Sequence, residues 1–298
     1  MLGPFLALLS SITFALMNIF VRRASLKTVN AAFGAFVSVP TALAVLFAIL
    51  IVSGQIRLLF SLSAISWAWF ALAGILQFVV GLSIYYRCVQ LMGANFAIVL
   101  SRINILISVA IGILFLHEPV SVNLLAGVML IFTGIILSGL NKPLIRDSGG
   151  SLSTIPIKAY VLVLTSGFVF GVSPIFIKLG IRESGYPMAG AFVSFFAGTI
   201  AISFLLLKRE SRIAARQIDF KSLPLFVWAG IVFCAGNLFR FFALKMTSAS
   251  VVVPLISTMP LFLLLLSFLF NRKVEIFNPT LVAGAVLVVL GTVLIFLI

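Results

Sequence analysis

"GAFVS" occupies Gly34 to Ser38, and the same five letters return at Gly190 to Ser194, 156 positions later. Small and apolar letters recur easily in a chain this rich in them, so the pair is informative only if its spacing recurs. It does. At 156, Phe14, Ile19 and Phe20 fall on Phe170, Ile175 and Phe176, and Ala73, Gly74 and Ile75 fall on Ala229, Gly230 and Ile231. Ala94 meets Ala249 at 155, while Ala126, Gly127 and Gly134 meet Ala283, Gly284 and Gly291 at 157. A unit of half the chain written twice accounts for these matches. Small changes in loop length would explain the drift in spacing.

Hydrophobic residues make up 63% of the 298 and charged residues only 9%, where soluble domains carry about 25% charge. The chain therefore reads as an all-α polytopic membrane protein. Ten apolar segments approach the roughly 20 residues that a helix needs to cross a hydrocarbon core. They lie at 4–21, 31–53, 63–89, 94–116, 121–140, 159–181, 187–207, 222–245, 248–270 and 278–298. A membrane β-barrel is excluded, since barrel strands alternate lipid-facing and lumen-facing residues. The first run lacks a preceding basic residue and has a repeat counterpart in mid-chain, so it reads as a mature helix rather than a cleaved signal.

Cys88 and Cys234 both fall inside predicted spans and offer no disulfide framework. The net charge of +14 is spread through short loops. Positive loops facing the cytoplasm explain it better than nucleic acid does.

The stretch "NKPLIRDSGGSLSTIPI", Asn141 to Ile157, is the longest polar segment and sits where the copies should join. It divides the chain into residues 1–140 (helices one to five), a linker at 141–157, and residues 158–298 (helices six to ten). Five is odd, so the second copy enters the membrane from the opposite face. Inverted repeats of this kind hold substrate near the midplane between the halves. Most Lys and Arg residues lie after helices one, five, seven and nine, as Arg22, Arg23, Lys142, Arg209 and Arg272 illustrate. The positive-inside bias then places both termini outside.

Three stretches carry a resemblance to a known family. "RFFALKMTSASVVVPLISTMPLF", Arg240 to Phe262, resembles the junction of helices eight and nine in the drug/metabolite transporter superfamily, in its ten-helix EamA form. "YYRCVQLMGANFAIVLSRINIL", Tyr85 to Leu106, is a degenerate copy of it. "HEPVSVNLLAGVMLIFTGIIL", from His117, is similar to the family's Glu followed by an apolar helix with a Gly nine residues on; Glu118 with Gly127 and Glu275 with Gly284 both fit. The resemblance implies a metabolite carrier of the cell membrane (the inner membrane, in a bacterium), with amino-acid or related export its commonest activity. The first copy departs from the pattern: it lacks the proline of helix nine, and Arg102 stands where the second copy has Ser257.

Ionisable groups within a membrane span are costly and face a cavity or the bundle interior. Arg102 lies well inside helix four. Asn95 precedes it by seven residues, close to two turns, on the same face of a continuous helix. Arg240 lies in helix eight with Asn237 three residues before it. These four form one candidate polar lining, to which Asn18 adds a further candidate. Tyr85 and Tyr86 belong either to the cavity wall or to an interfacial aromatic belt. Arg240 reads equally as a snorkelling residue. Arg87, Lys178 and Lys245 read as interfacial, and Gln77 as an interhelical hydrogen-bonding residue.

All six acids, Asp147, Asp219, Glu118, Glu183, Glu210 and Glu275, fall in loops or at helix ends. A cation/proton exchanger needs a buried carboxylate, so the mechanism of the superfamily's small four-helix multidrug exporters does not carry over. His117 is the only histidine, and no paired carboxylates or metal-spaced ligands occur, so neither an enzyme nor a cofactor is expected. The leading expectation is a secondary transporter of a small anionic or zwitterionic solute, gripped by Arg102 and Arg240. A flippase for a lipid-linked headgroup and a non-transporting membrane scaffold are the alternatives. The sequence leaves the oligomeric state open.

Overall fold

In hydrocarbon a long apolar run has no hydrogen-bond partner but its own backbone, so it winds into a helix. The computed structural model describes residues 2–28, 30–116, 122–140, 144–146, 152–205, 220–246, 252, 255–271 and 277–296. Its helices are α1 Leu2–Ser25, α2 Ala35–Val52, α3 Ala64–Met92, α4 Ala94–Leu100, α5 Ile103–Leu116, α6 Val122–Leu140, α7 Ile157–Ser184, α8 Pro187–Leu205, α9 Leu223–Met246, α10 Met259–Phe270 and α11 Pro279–Phe296. Six of these, α1, α2, α3, α7, α8 and α9, are long and apolar enough to cross a membrane; shorter apolar helices make up the rest. Outward-facing Phe204, Leu265 and Phe268 suit a lipid surround rather than water. His117, Glu118, Asp147, Glu210, Asp219, Pro254 and Glu275 lie outside the described residues.

The structure departs from the sequence reading at two places and adds a detail to the linker, where Leu144–Arg146 pairs antiparallel with Leu152–Thr154 in an otherwise helical fold. A polar segment reversing between two helices satisfies part of its backbone through that short ladder. The span expected at 94–116 is broken at Ser101 and Arg102, and in the span expected at 248–270 a turn at Thr258 precedes α10. Finally, the drift from 156 to 155 is not a loop effect. Within α3, Ile75–Gly81 is π-helical, whereas the matching stretch of α9 is α-helical throughout. A π-bulge is one residue inserted into a helix, and it supplies the extra residue of the first copy.

The opening pentapeptides sit at the centre of the packing. Gly34 lies against the ring of Phe226, and Gly190 against the ring of Phe70. One turn on, Ser38 Oγ donates to the Phe226 carbonyl at 3.0 Å and Ser194 Oγ to the Phe70 carbonyl at 2.9 Å. The backbone of Ser38 touches Gly230, and that of Ser194 touches Gly74. Small residues let membrane helices approach this closely, and hydroxyls fasten them. The same exchange recurs elsewhere: Gly236 packs on Phe14 and Gly81 on Phe170, Gly291 on Gly127 and Gly134 on Gly284. At helix level, α1 packs along α9 as α7 packs along α3, while α6 lies along α11.

Candidate functional site

Between these helices lies a cavity of about 320 Å³. Its apolar wall includes Phe14 and Met17 of α1, Phe170 of α7, Phe233 of α9 and Met259 of α10. The polar groups come from five places: Asn18 on α1, Gln77 and Tyr85 on α3, Ser101, Arg102 and Asn104 at the α4–α5 break, Ser173 and Lys178 on α7, and Arg240 on α9, with Ser257 completing the rim. Tyr85 meets Phe170 edge-on at 5.9 Å, and Phe14 meets Phe233 at 6.0 Å.

Arg102 owes its position to the broken helix. The α-helical pattern runs to Ser101, whose N–H reaches the Ala97 carbonyl; the next amide, of Arg102, turns back to Val99, and Asn104 and Ile105 bond to Ser101 and Arg102. That tighter turn carries the Arg102 side chain into the cavity, where it is 5% exposed. Its guanidinium has no hydrogen-bond partner among the described residues, and its Nε is fully enclosed. The Asn104 side-chain oxygen, beside it in the chain, is buried and equally unpartnered.

Arg240 is held quite differently. One terminal nitrogen, Nη2, donates to Gln77 Oε1 at 3.0 Å and to Asn237 Oδ1 at 2.9 Å. Asn237 is oriented in turn by its own donation to the Phe233 carbonyl at 2.9 Å, and Gln77 Oε1 takes a second bond from Ser173 Oγ at 3.2 Å. The guanidinium also lies 5.7 Å from the Phe241 ring centre. Arg240 therefore does not snorkel to an interface. Opposite, Tyr85 donates to Asn18 Oδ1 at 2.7 Å, and Asn18 Nδ2 donates to the Phe14 carbonyl at 2.8 Å.

Four expected residues, Arg102, Arg240, Asn18 and Tyr85, thus line one cavity, and Asn237 supports it from behind. Two do not line it. Asn95 is fully buried and accepts from Ser267 of α10 at 2.9 Å; the break at Ser101 and Arg102 rotates it away from the face that a continuous helix would have shared. Tyr86 is also fully buried, stacked on Phe226 at 5.9 Å, because adjacent residues point about 100° apart on a helix of 3.6 residues per turn. Lys178 lines the cavity, against the interfacial reading; Gln77 bonds between helices as expected, to Ser173 and Arg240, and lines the cavity as well; Ser101, Asn104 and Ser173 were not singled out at all. The signal for Lys178 was available: it stands 156 positions after Arg22.

The end of α1 is tied to the ends of α3 and α10. Arg22, 1% exposed, donates to the carbonyls of Val89 and Gln90 near the end of α3. Arg23 donates to the Phe270 carbonyl and, at 2.7 Å, to Asn271 Oδ1 at the end of α10. Cations suit helix C-termini. Lys178, the repeat counterpart of Arg22, is exposed. Among the described residues no group of His, Cys, Asp and Glu is placed to hold a metal ion.

A sequence model of the EamA-like transporter family matches residues 1–140 and 157–297. No curated protein matches the chain. A solved crystal structure shares its fold with a TM-score of 0.63 at 16% identity, over 97% of this chain and 94% of that one.

Proposed function

The chain belongs to the EamA-like transporter family of multi-pass membrane carriers of small solutes, and on that premise we propose that it is a secondary transporter exporting a carboxylate- or phosphate-bearing metabolite across the cell membrane. In this reading ten helices form two inverted five-helix repeats, residues 1–140 and 158–298, joined by 141–157. The short helices at the breaks and chain ends count as spans. Reciprocal contacts support a twofold relation: in the glycine and serine pairs named above, where a residue of the first copy touches one of the second, the counterparts of both also touch, as in an isologous dimer. An odd number of passes puts the axis in the membrane plane, and rocking one set of helices against the other exposes the site to each side in turn.

The observation that carries the substrate reading is Arg102, buried in the cavity wall with no hydrogen-bond partner among the described residues. An isolated cation in a low-dielectric site is costly unless something neutralises it, and a guanidinium meets a carboxylate or phosphate two-pronged. Reconstituted uptake with a panel of amino acids, organic anions and phosphorylated metabolites tests this, using vesicles of both orientations to read direction. Uptake of at least one anionic solute, lost in Arg102→Ala, is the expected result. Flipping of a labelled lipid without uptake of any soluble solute would replace this reading with a flippase.

A further inference from the structure

Resting on that reading, we infer that the substrate is a small organic dianion with an apolar body, its two negative charges gripped one by each half of the molecule. The cavity receives a guanidinium from each half, Arg102 from the first and Arg240 from the second. Among the described residues neither is paired with a carboxylate. Arg102 has no hydrogen-bond partner among the described residues, and Arg240 has only the neutral amides of Gln77 and Asn237. No acidic side chain occurs in the described cavity wall, and Lys178 adds a third positive charge there. A monoanion neutralises one guanidinium and leaves the other enclosed without a counter-charge. A dianion neutralises both.

The hydrogen-bonding inventory points the same way. A guanidinium carries five N–H donors and no acceptor. Among the described residues Arg240 spends only Nη2 on hydrogen bonds, and its Nε is buried and unused. Two of the oxygens that could receive a substrate ammonium are already engaged: Gln77 Oε1 accepts from Arg240 and Ser173, and Asn18 Oδ1 from Tyr85, which leaves Asn104 Oδ1 open. Gln77's amide is thereby oriented, since a flip would set its NH₂ against the Arg240 donor. The unused N–H groups of Arg102 and Arg240 outnumber the open amide oxygen of Asn104, which suits a solute with several anionic oxygens. The rings of Phe14, Phe170 and Phe233 require that the rest of the solute be apolar.

Dicarboxylates and phosphate monoesters share this chemistry, so both enter the test. Purified full-length protein in detergent is titrated at pH 7.5 with four phenyl compounds: phenylsuccinate, phenyl phosphate, 3-phenylpropanoate and L-phenylalanine. Thermal stabilisation reads affinity, and reconstituted vesicles read uptake. At least one of the two dianions should bind tenfold or more tighter than the monoanion and the zwitterion, and which one decides between carboxylate and phosphate. In Arg102→Gln and in Arg240→Gln the gap between dianion and monoanion should close to about threefold or less. Arg240, partly exposed and less central to the break, provides the test if Arg102→Gln fails to fold. Equal binding of monoanion and dianion, tightest binding of L-phenylalanine, or a gap untouched in folded variants overturns the inference. Uptake of L-phenylalanine would then leave the transporter reading standing, whereas dianion binding without any uptake would remove the transporter reading and keep this one.

Discussion

Equivalent positions of the two halves fall into two kinds. Those that fasten the helices are the same in both copies: Gly34 and Gly190, Ser38 and Ser194, Phe70 and Phe226, Gly74 and Gly230, Gly127 and Gly284. Those that face the cavity with polar groups differ, although Phe14 and Phe170 of its wall match. Arg102 answers to Ser257, Tyr85 to Arg240 and Asn18 to Pro174, while Arg22, sealed against carbonyls, answers to the exposed Lys178. The difference follows from what each contact tolerates. A glycine against a backbone carbonyl admits no other side chain, so both copies carry it. A cavity wall tolerates many residues, and a solute without twofold symmetry is better matched by a wall without it.

The largest expected effect lies in the first kind. A Cβ at Gly74 would stand 2.0 Å from the Ser194 carbonyl oxygen, and one at Gly230 would stand 2.5 Å from that of Ser38. Backbone cannot swing aside, so Gly74→Ala and Gly230→Ala should each destabilise by about 3 kcal/mol or more, at the upper end for overpacking. Gly198→Ala, which meets the Phe78 side chain at 3.0 Å, should be clearly milder. Melting temperature and membrane-inserted yield measure all three. If Gly74→Ala melts like the parent, α3 and α8 do not approach as described, and the first kind of position loses its rationale.

Next in size is an exchange of the second kind. Arg102→Ser should lose tenfold to a hundredfold in solute affinity, the scale of a charge-assisted hydrogen bond of about 1.5–3 kcal/mol. Arg102→Lys, with charge but no fork, should fall between. Because Ser257 borders the same cavity, the double variant Arg102→Ser with Ser257→Arg should recover roughly tenfold of that loss. Recovery would show that the two positions are interchangeable about a common axis. Binding no better than Arg102→Ser alone would break the equivalence. Gln77→Leu is smaller again: it removes one of two acceptors for Arg240 and the partner of Ser173. An effect of about 1 kcal/mol, some fivefold in affinity, is expected with melting unchanged.

What the sequence made legible follows the same division. Apolar length gave the membrane helices, and the recurring offset gave the paired glycine and serine contacts, because close-packed glycines leave matching letters behind. The π-helical turn left only a drift of one in the offset, which a loop would mimic. The break at Ser101 and Arg102 carries neither Gly nor Pro, and Arg is a good helix former, so nothing in the letters interrupts the span. Without the break, Asn95 and Arg102 share a face; with it they do not. Tyr85 and Tyr86 were inseparable for another reason: a tyrosine suits a cavity wall and an interfacial belt equally.

The smallest expected effect concerns Glu118 and Glu275. They stand 157 positions apart, the offset that also relates Gly127 to Gly284, so by the comparison above they belong with the paired positions that build the frame. No carboxylate occurs in the described cavity wall, and a solute that brings its own negative charge needs no acidic side chain to hold it. Glu118→Gln, Glu275→Gln and the double variant should therefore transport within about twofold of the parent, with an unchanged rate profile between pH 6 and 8, since differences of that size are below about 0.5 kcal/mol. Initial uptake rates, measured beside melting temperatures on the same preparations, decide the matter. A Glu118→Gln protein that inserts and melts normally but no longer transports would place a proton-carrying group at that position. It would also move one paired residue from the frame to the mechanism, and the division between the two kinds of position would have to be redrawn.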